Sequence, residues 1–449
     1  MLNPFTNMPV EKAVLNSEVH SKVRRNEYNT LRLGIWIYLI LLIFEGALRK
    51  WVLPGLATPL LIIRDPLAVW LIIMALKNQI LKPNVYLTSI VAITIISLFT
   101  AIFIGHGNLL VALFGARVFL IHFPLIFIIG KTFERRDVIR MGEVILWISI
   151  PMAILIAFQF YSPQSAWVNR GVGGDIEGGG FSGANGYFRP PATFSFISGT
   201  SAFFTSVSCF VFYFWLNPGA LNRLVLILAT IGLMIAIPLS ISRNLFFSIM
   251  LTIFFAVIAV LRKPKYLGKM VGAVFVASLV FLLFSNSSIV KTPIEAFTSR
   301  FTSANEQEGG LKGVAGNRFL GGMVDAITGS SDQPFFGHGI GMGTNVGAML
   351  LDGSKVFLVS EGEWGRLIGE QGPLLGLAVI LLRIGLCLQF FIIAYRRLQK
   401  NDMLPWMLLN FCLLSIIQGQ WGQPTSLGFA IVAGGLMLAA LQEKALETN

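Results

Sequence analysis

Apolar residues in this chain come in long blocks. From residue 33 to residue 441, stretches of about twenty mostly apolar positions recur, separated by short polar segments. A helix needs about 20 such residues to cross bilayer hydrocarbon. Blocks at 33–48, 57–76, 84–104, 109–130, 141–160, 194–216, 222–240, 244–261, 268–286, 372–395, 402–418 and 424–441 meet that requirement. The pattern predicts an all-α fold, a polytopic transmembrane bundle of about twelve spans. A polar segment, 1–32, precedes the bundle. Spans one to nine occupy 33–286 and are interrupted by a polar stretch at 161–193. A longer polar stretch, 287–371, precedes spans ten to twelve and the tail at 372–449. No repeat is visible, so an inverted-repeat transporter finds no support.

Composition agrees with this. Only 12% of the 449 residues are charged and 55% are hydrophobic, where an ordinary soluble domain carries about twice that charged fraction. A soluble enzyme of one or two domains is excluded. The net charge of +12 would suggest nucleic acid in a soluble protein, but here the basic residues follow topology. Lys12, Lys22, Arg24, Arg25, Arg32, Lys77, Lys82, Lys131, Arg135, Arg136, Arg140, Arg223, Arg262, Lys263, Lys265, Lys269, Arg396, Arg397, Lys400 and Lys444 fall on alternate connections. The opposite short connections hold only Arg49, Lys50, Arg170, Arg189 and Arg243. By the positive-inside rule both termini are cytoplasmic, no nucleic acid is expected, and 161–193 and 287–371 are extracytoplasmic. The first apolar block follows a basic segment and is too long for a signal peptide's core, so no cleavable leader is expected.

Long loops in a compact fold are usually functional. Chemistry is therefore expected outside the cytoplasm, where ATP and nucleotide-sugars are absent. Any bond-forming reaction there needs a substrate that arrives activated, such as a lipid-linked pyrophosphate.

Charge inside a span costs about 2.5–3.5 kcal/mol per residue even on lenient scales. Arg64 and Asp65 interrupt the second block, Arg117 and His122 the fourth, and Arg383 the tenth; Arg243 stands at the seventh–eighth junction. Arg64 and Asp65 suit neutralisation of a buried neighbour, His122 an interhelical hydrogen bond, and Arg383 a pair or a snorkel. Arg117 and Arg243 have no acid within a helical turn, which suits an anion held by a guanidinium fork. Arg189, in Phe188-Arg189-Pro190-Pro191-Ala192-Thr193-Phe194, lies where an outer loop returns to the membrane.

In the long loop, Phe319, Leu320, Met323, Val324 and Ile327 predict a short amphipathic helix over 313–328. Gly337-His338-Gly339-Ile340-Gly341-Met342-Gly343 imitates a dinucleotide fingerprint, but no strand precedes it. Its glycines suit close approach of backbone to a sugar or phosphate, with His338 as a base or donor. Glu363, Arg366 and Glu370 share one helical face at i, i+3 and i+7, so Arg366 can pair with either acid. Glu361 stands apart and is the freer carboxylate. The one outer D-x-E, Asp175-Ile176-Glu177, lies in a glycine run. Cys209, Cys387 and Cys412 fall within apolar blocks and have no ligand spacing. Neither metal nor cofactor is expected.

Four short motifs, in this order on the outer side, resemble the O-antigen ligase and polymerase superfamily of bacterial inner membranes. They are Arg189 before Pro190-Pro191-Ala192-Thr193-Phe194; Ser242-Arg243 at a span start; Arg318 followed by Pro334-Phe335-Phe336-Gly337-His338-Gly339; and Glu370-Gln371-Gly372-Pro373-Leu374-Leu375-Gly376 leading into a span. Where that family often has His-Asn before the last motif, this chain has Glu361-Gly362. The resemblance implies metal-independent glycosyl transfer from undecaprenyl pyrophosphate to a second lipid-linked repeat unit (polymerase) or to lipid A core or protein (ligase). It implies pyrophosphate binding by Arg189 and Arg243, with Arg117, Arg318 and Arg366 as further candidates. Glu361, His338 or Glu370 would be the catalytic base, and export or chain-length proteins would be partners. A glycolipid flippase or an anion transporter is the rival class.

Overall fold

Polar caps set where the apolar blocks become helices. The computed structural model describes residues 8–217, 219, 221–262, 268, 288–308, 321–353, 359–360 and 362–442, with side-chain surroundings from residue 27 onward except at 288–290, 303–308 and 331–332. Helix α1 (Met8–Ala47) carries the first block on its C-terminal half and ends in a π turn at Leu48–Val52. The second block opens as short 3-10 turns and becomes regular helix only at α2 (Arg64–Lys77). Asn84 caps α3 (Val85–Phe103) by accepting from the Leu87 amide, and Asn108 caps α4 (Leu109–Arg117). A second π turn, Val118–His122, joins α4 to α5 (Phe123–Thr132). A capping box of Glu134 and Asp137 starts α6 (Arg135–Tyr161).

The stretch expected as irregular loop forms a small antiparallel hairpin, β1 (Phe181–Ala184) and β2 (Tyr187–Arg189), with Phe181 opposite Arg189. Asn185 and Gly186, at φ 52° and 78°, make its two-residue turn. Asn-Gly is the strongest short hairpin signal because both positions need positive φ. The all-α expectation therefore needs this one correction.

Then follow α7 (Ile197–Leu216), α8 (Arg223–Leu239, capped by Asn222) and α9 (Arg243–Leu261, capped by Ser242). The long polar stretch contains α10 (Ser288–Glu308), α11 (Gly322–Thr328) and α12 (Asn345–Asp352). Short amphipathic helices were expected in this stretch, but none was located at α10; Phe297 and Phe301 lock it onto Phe246 and Phe247 of α9. Of the amphipathic helix expected over 313–328, α11 supplies the second half, and 313–320 lie outside the described residues. Last come α13 (Glu363–Gln399), α14 (Leu404–Leu413), a third π turn at Leu414–Gln418, and α15 (Pro424–Ala440).

Eight described helical stretches are long and apolar enough to cross a membrane, and three shorter apolar ones accompany them. The expected ninth block, 268–286, lies outside the described residues except for Gly268. Helix α7 is the most enclosed of the eight and packs on α6, α8, α9, α14 and α15. Helices α5 and α15 lie along each other. Gly434 and Gly435 meet Ile126 and Ile129 there, and Gly130 meets Leu438. Small residues let apolar helices approach closely where lipid gives no hydrophobic drive.

Helix α13 starts nine residues before the block predicted at 372, and it is broken at Gly372 (φ 79°, ψ 171°). Pro373 has no N–H, so the Gly369 carbonyl lacks its helical donor. The glycine turn of the long loop supplies the replacement. The His338 amide donates to Gly369 O at 2.8 Å, and the Gly339 amide to Glu370 O at 2.9 Å. A Cβ on Gly372 would lie 2.0 Å from Phe335 O, and one on Gly341 would lie 2.1 Å from Val111 O. These glycines admit the protein's own backbone, which corrects the expectation that they admit a sugar or phosphate.

Gly372→Ala should cost about 2 kcal/mol or more, from a non-glycine positive φ together with overpacking. Gly329, with open space around its Cα, is the control. Thermal unfolding of both variants in detergent checks this, and equal midpoints would remove the role given to the break.

Candidate functional site

The helix break places Glu363, Arg366 and Glu370 on one inward face. Arg366 donates from Nε to Glu363 Oε2 (3.0 Å), from Nη2 to Glu363 Oε1 (2.9 Å) and from Nη1 to Glu370 Oε2 (2.6 Å). Beyond the break on the same helix, Arg383 donates Nη1 to Glu363 Oε1 at 2.6 Å. The Trp421 amide adds a bond to Glu363 Oε2 (3.0 Å), and the Gly343 amide one to Glu370 Oε1 (2.8 Å). All four charged side chains are buried. Glu363 thus accepts four hydrogen bonds, and Glu370 has both oxygens occupied. Proposed as a catalytic base, Glu370 sits instead where it anchors Arg366 and the glycine turn. Arg366, proposed for pyrophosphate, has its fork filled by carboxylates.

The third π turn explains why Arg383 and two tryptophans gather here. A π turn leaves carbonyls without regular helical donors. Ser415 O accepts from Trp421 Nε1, Ile416 O from Arg383 Nε, and Ile417 O from Trp364 Nε1. Arg383 also lies over the Trp421 ring, 3.9 Å from its centroid.

Beside this cluster lies a small recess, with room for about one water, lined by Gly343, Ser360, Gly362, Glu363, Arg366, Gln420, Gly422 and Gln423. Gln423 Nε2 donates to Gln420 Oε1 (2.7 Å), and Ser198 Oγ on α7 donates to Gln423 Oε1 (3.1 Å).

A second buried network joins α1, α2 and α4. Arg64 pairs with Glu45 (3.3 Å), and Asp65 with Arg117 (2.7 Å) and His122 (2.9 Å). Tyr38 Oη bonds His122 Nδ1 at 3.0 Å. Arg117 was expected to be unpaired; its acid lies 52 positions away, beyond any local spacing rule. Its charge is matched, so it is withdrawn as a pyrophosphate ligand. Arg64 Nη2 also reaches Pro424 O (2.6 Å), next to Gln423, and so ties this network to the recess.

The segment after Arg189 re-enters the bundle as irregular backbone, which inside a membrane protein needs internal partners. Buried Lys50 donates to Ala192 O and Phe194 O, and Gln159 bonds both the N–H and the C=O of Ala192. Thr193 Oγ1 donates to Ile43 O, and Arg49 to Ser195 Oγ.

The hairpin brings Arg189 against the start of α9. A Cβ on Gly183 would lie 2.7 Å from Ile241 Cδ1 and 3.5 Å from Arg189 Cγ. Ile241 is two residues before Arg243, and Arg300 on α10 donates Nη1 to Gly183 O at 2.9 Å. Three arginine-bearing segments therefore converge on one glycine. Ala192 and Ile241 hold positive φ, 53° and 46°, which costs a non-glycine residue about 1–2 kcal/mol. Such strain clusters at functional sites. Ser201 Oγ on α7 contacts Ser242 Oγ at 3.1 Å, one helical turn below Ser198 and its contact with Gln423.

His338 is exposed on its turn. Glu361 and Arg318 lie outside the described residues, although Ser360 and Gly362 on either side of Glu361 both line the recess. Glu45, Lys50, Gln159, Arg300, Gln420 and Gln423 belong to these arrangements and were not singled out from sequence. Glu45 carried a usable signal, an acid inside an apolar block. Among the described residues no group of three or more His, Cys, Asp and Glu side chains is placed to hold a metal. No family model, curated protein or solved structure matches this chain.

Removing one member of a buried pair strands the other at about 3–5 kcal/mol. Arg117→Met should therefore lose most of the folded population, and Arg117→Met with Asp65→Asn should recover part of it. Unfolding midpoints in detergent report both, and no recovery in the double variant would refute coupling of the pair.

Proposed function

We propose that this chain is a multi-pass protein of a bacterial inner membrane that transfers glycans at the outer face. The donor is an oligosaccharide on undecaprenyl pyrophosphate, and the acceptor is a second lipid-linked repeat unit, so that O-antigen, capsule or exopolysaccharide is polymerised. In this reading the eight long and three short apolar helices, with the ninth block of the sequence, make twelve spans with cytoplasmic termini. The segments 161–193 and 287–371 face outward.

The meeting at Gly183 of the segments that carry Arg189, Arg243 and Arg300, one α7 turn from the small recess beside Gln420 and Gln423, supports this reading. Glycosyl transfer needs two such neighbours, a cationic place for the leaving pyrophosphate and a polar place for a sugar hydroxyl. The acceptor oxygen attacks the anomeric carbon of the donor. The bond from that carbon to the pyrophosphate oxygen breaks, and the oxygen leaves with the electron pair. Guanidinium groups stabilise the charge that develops on it. The hydroxyl proton passes to Glu361, whose chain neighbours line the recess.

Depth favours a lipid-linked substrate. The 15 residues of Leu404–Gln418 and 17 of Pro424–Ala440 rise roughly 22 and 26 Å, short of the about 30 Å hydrocarbon. Their connection at Gly419–Gln423, which forms one wall of the recess, would then sit below the outer surface, near the pyrophosphate level of a polyprenyl lipid. A ligase that delivers the same donor to lipid A core or protein uses identical chemistry. Comparing lipid A core with lipid-linked repeats as acceptor for the purified protein separates the two. A flippase or anion transporter would need charged groups along a path across the membrane, whereas the buried carboxylates Glu45, Glu363 and Glu370 are each paired with an arginine.

An Arg243→Ala strain should accumulate single lipid-linked repeat units and lose long polymer, as read by gel and mass analysis of its glycolipids. Normal chain length in that strain would sink the role of Arg243.

A further inference from the structure

We propose that residues 335–352 of the long polar stretch form a re-entrant element seated in the outer leaflet, with Phe335, Phe336, Met349 and Leu350 against lipid hydrocarbon. This rests on the multi-pass reading above and is independent of glycosyl transfer. It gives part of an outward-facing segment a partner, the bilayer itself.

Depth is the first observation. Helix α3 has 19 residues and rises about 28 Å, just short of the about 30 Å hydrocarbon. Its last residue, Phe103, is 78% exposed and stands at the hydrocarbon edge. The glycine turn meets the chain there and below. A Cβ on Gly105 would lie 2.7 Å from His338 O, and one on Gly115 would lie 2.4 Å from the Gly341 amide nitrogen. Gly115 is six positions past Leu109, about 9 Å along α4. The span that α4 opens, Leu109–Thr132, has 24 residues and rises about 36 Å. Even with the whole surplus of about 6 Å at its outer end, Gly341 lies below the edge.

Backbone at that depth has no water to bond and must be satisfied inside the protein. This turn meets that demand. The amides of Gly337, His338, Gly339, Met342, Gly343 and Thr344 all donate to protein oxygens. The His106 amide donates to His338 O (3.2 Å), His106 Nε2 to Ile340 O (3.2 Å), and Thr344 Oγ1 to Gly341 O (2.6 Å). A loop in water needs no such completeness.

The outer side of the element is apolar. Phe335 and Phe336 precede the turn, exposed and packed edge to face at 4.9 Å. Helix α12 follows it, capped by Thr344 and packed on α4. It buries Gly347 and Ala348 and exposes Met349 and Leu350. Its exposed polar residues, Asn345 and Asp352, stand at its two ends, which suits a helix lying at the headgroup edge. The apolar surface continues onto α3 and α4 through exposed Phe103, Leu109, Leu110 and Leu113. One solvent therefore covers both, and for the spanning helices that solvent is lipid. Gly343, between the turn and α12, donates its amide to Glu370 Oε1, so the lipid-seated element also holds the buried charge cluster.

Spin labels test this in the full-length protein in phosphatidylcholine vesicles. The native cysteines Cys209, Cys387 and Cys412 are buried, and mock-labelled wild type gives the background. Labels at Phe335→Cys, Met349→Cys and Leu350→Cys should collide with oxygen and lose collisions with a water-soluble nickel chelate, matching Phe103→Cys. Ile176→Cys, exposed between Asp175 and Glu177 in the other outer segment, is the water standard. Nickel collisions like those at Ile176→Cys overturn the proposal. Loss of both kinds of collision marks a protein contact on this face and also overturns it. If Phe103→Cys itself reports water, the multi-pass reading fails and takes the proposal with it.

Discussion

Matching of buried charge is the constraint on which the rest of this structure depends. Four charged side chains, Glu363, Arg366, Glu370 and Arg383, meet inside the bundle. At about 2.5–3.5 kcal/mol each they would cost roughly 10–14 kcal/mol unmatched, as much as the whole net stability of a typical domain, about 5–15 kcal/mol. They are tolerable only because each finds its partner at hydrogen-bond distance. That requirement fixes geometry. Arg383 reaches Glu363 only because α13 breaks between them, and Arg366 engages two acids only because they sit at i−3 and i+4. The second network obeys the same rule across three helices, with Glu45 and Asp65 setting where α1, α2 and α4 meet.

Backbone imposes the second constraint, and it links the long loop to the bundle. Gly372-Pro373 removes a helical donor, and the amides of His338 and Gly339 replace it. The same logic acts on the segment after Arg189, where Lys50 and Gln159 satisfy Ala192, and at the third π turn, where Arg383, Trp364 and Trp421 satisfy three successive carbonyls. In each place an interruption of regular structure is stabilised by a polar side chain or amide from far along the chain. The elements so held are the three that border the candidate site. Precision in the site thus follows from the need to satisfy interrupted backbone away from water.

Much of the helical frame was legible because it depends on local pattern. Apolar blocks located most of the described apolar helices to within a few residues, with α13 starting nine residues early, and Asn84, Asn108, Asn222 and Ser242 capped helices where the blocks began. The face shared by Glu363, Arg366 and Glu370 followed from helical spacing, and the pairing of Arg383 and the hydrogen bonding of His122 from the cost of leaving them alone. What spacing could not supply was partnership at a distance. Arg117 looked unpaired because Asp65 lies on another helix. Arg64 and Asp65, adjacent in sequence, pair with different residues. The glycines of 337–343 looked like a ligand cradle because nothing local says that α13 will break beside them. The Asn185-Gly186 hairpin was readable and was lost among the surrounding glycines.

The arginines of this chain fall into two structural settings. Arginines inside the bundle, Arg64, Arg117, Arg366 and Arg383, each lie against a carboxylate, and a matched guanidinium holds structure and attracts no anion. Arg189, Arg243 and Arg300 belong instead to a hairpin, a helix start and a helix of the long polar stretch, where each is only partly buried and water lowers the cost of charge. Arg189 Nε donates to Ser182 O and Arg300 Nη1 to Gly183 O, so these guanidinium groups hold hairpin backbone where the inner ones hold carboxylates. The strained backbone at Ala192 and Ile241 frames two of those segments, and the clamp by Lys50 and Gln159 holds the first in place. One face of α7 joins the two settings, because Ser198 meets Gln423 beside the inner charge cluster and Ser201, one turn on, meets Ser242 at the start of α9.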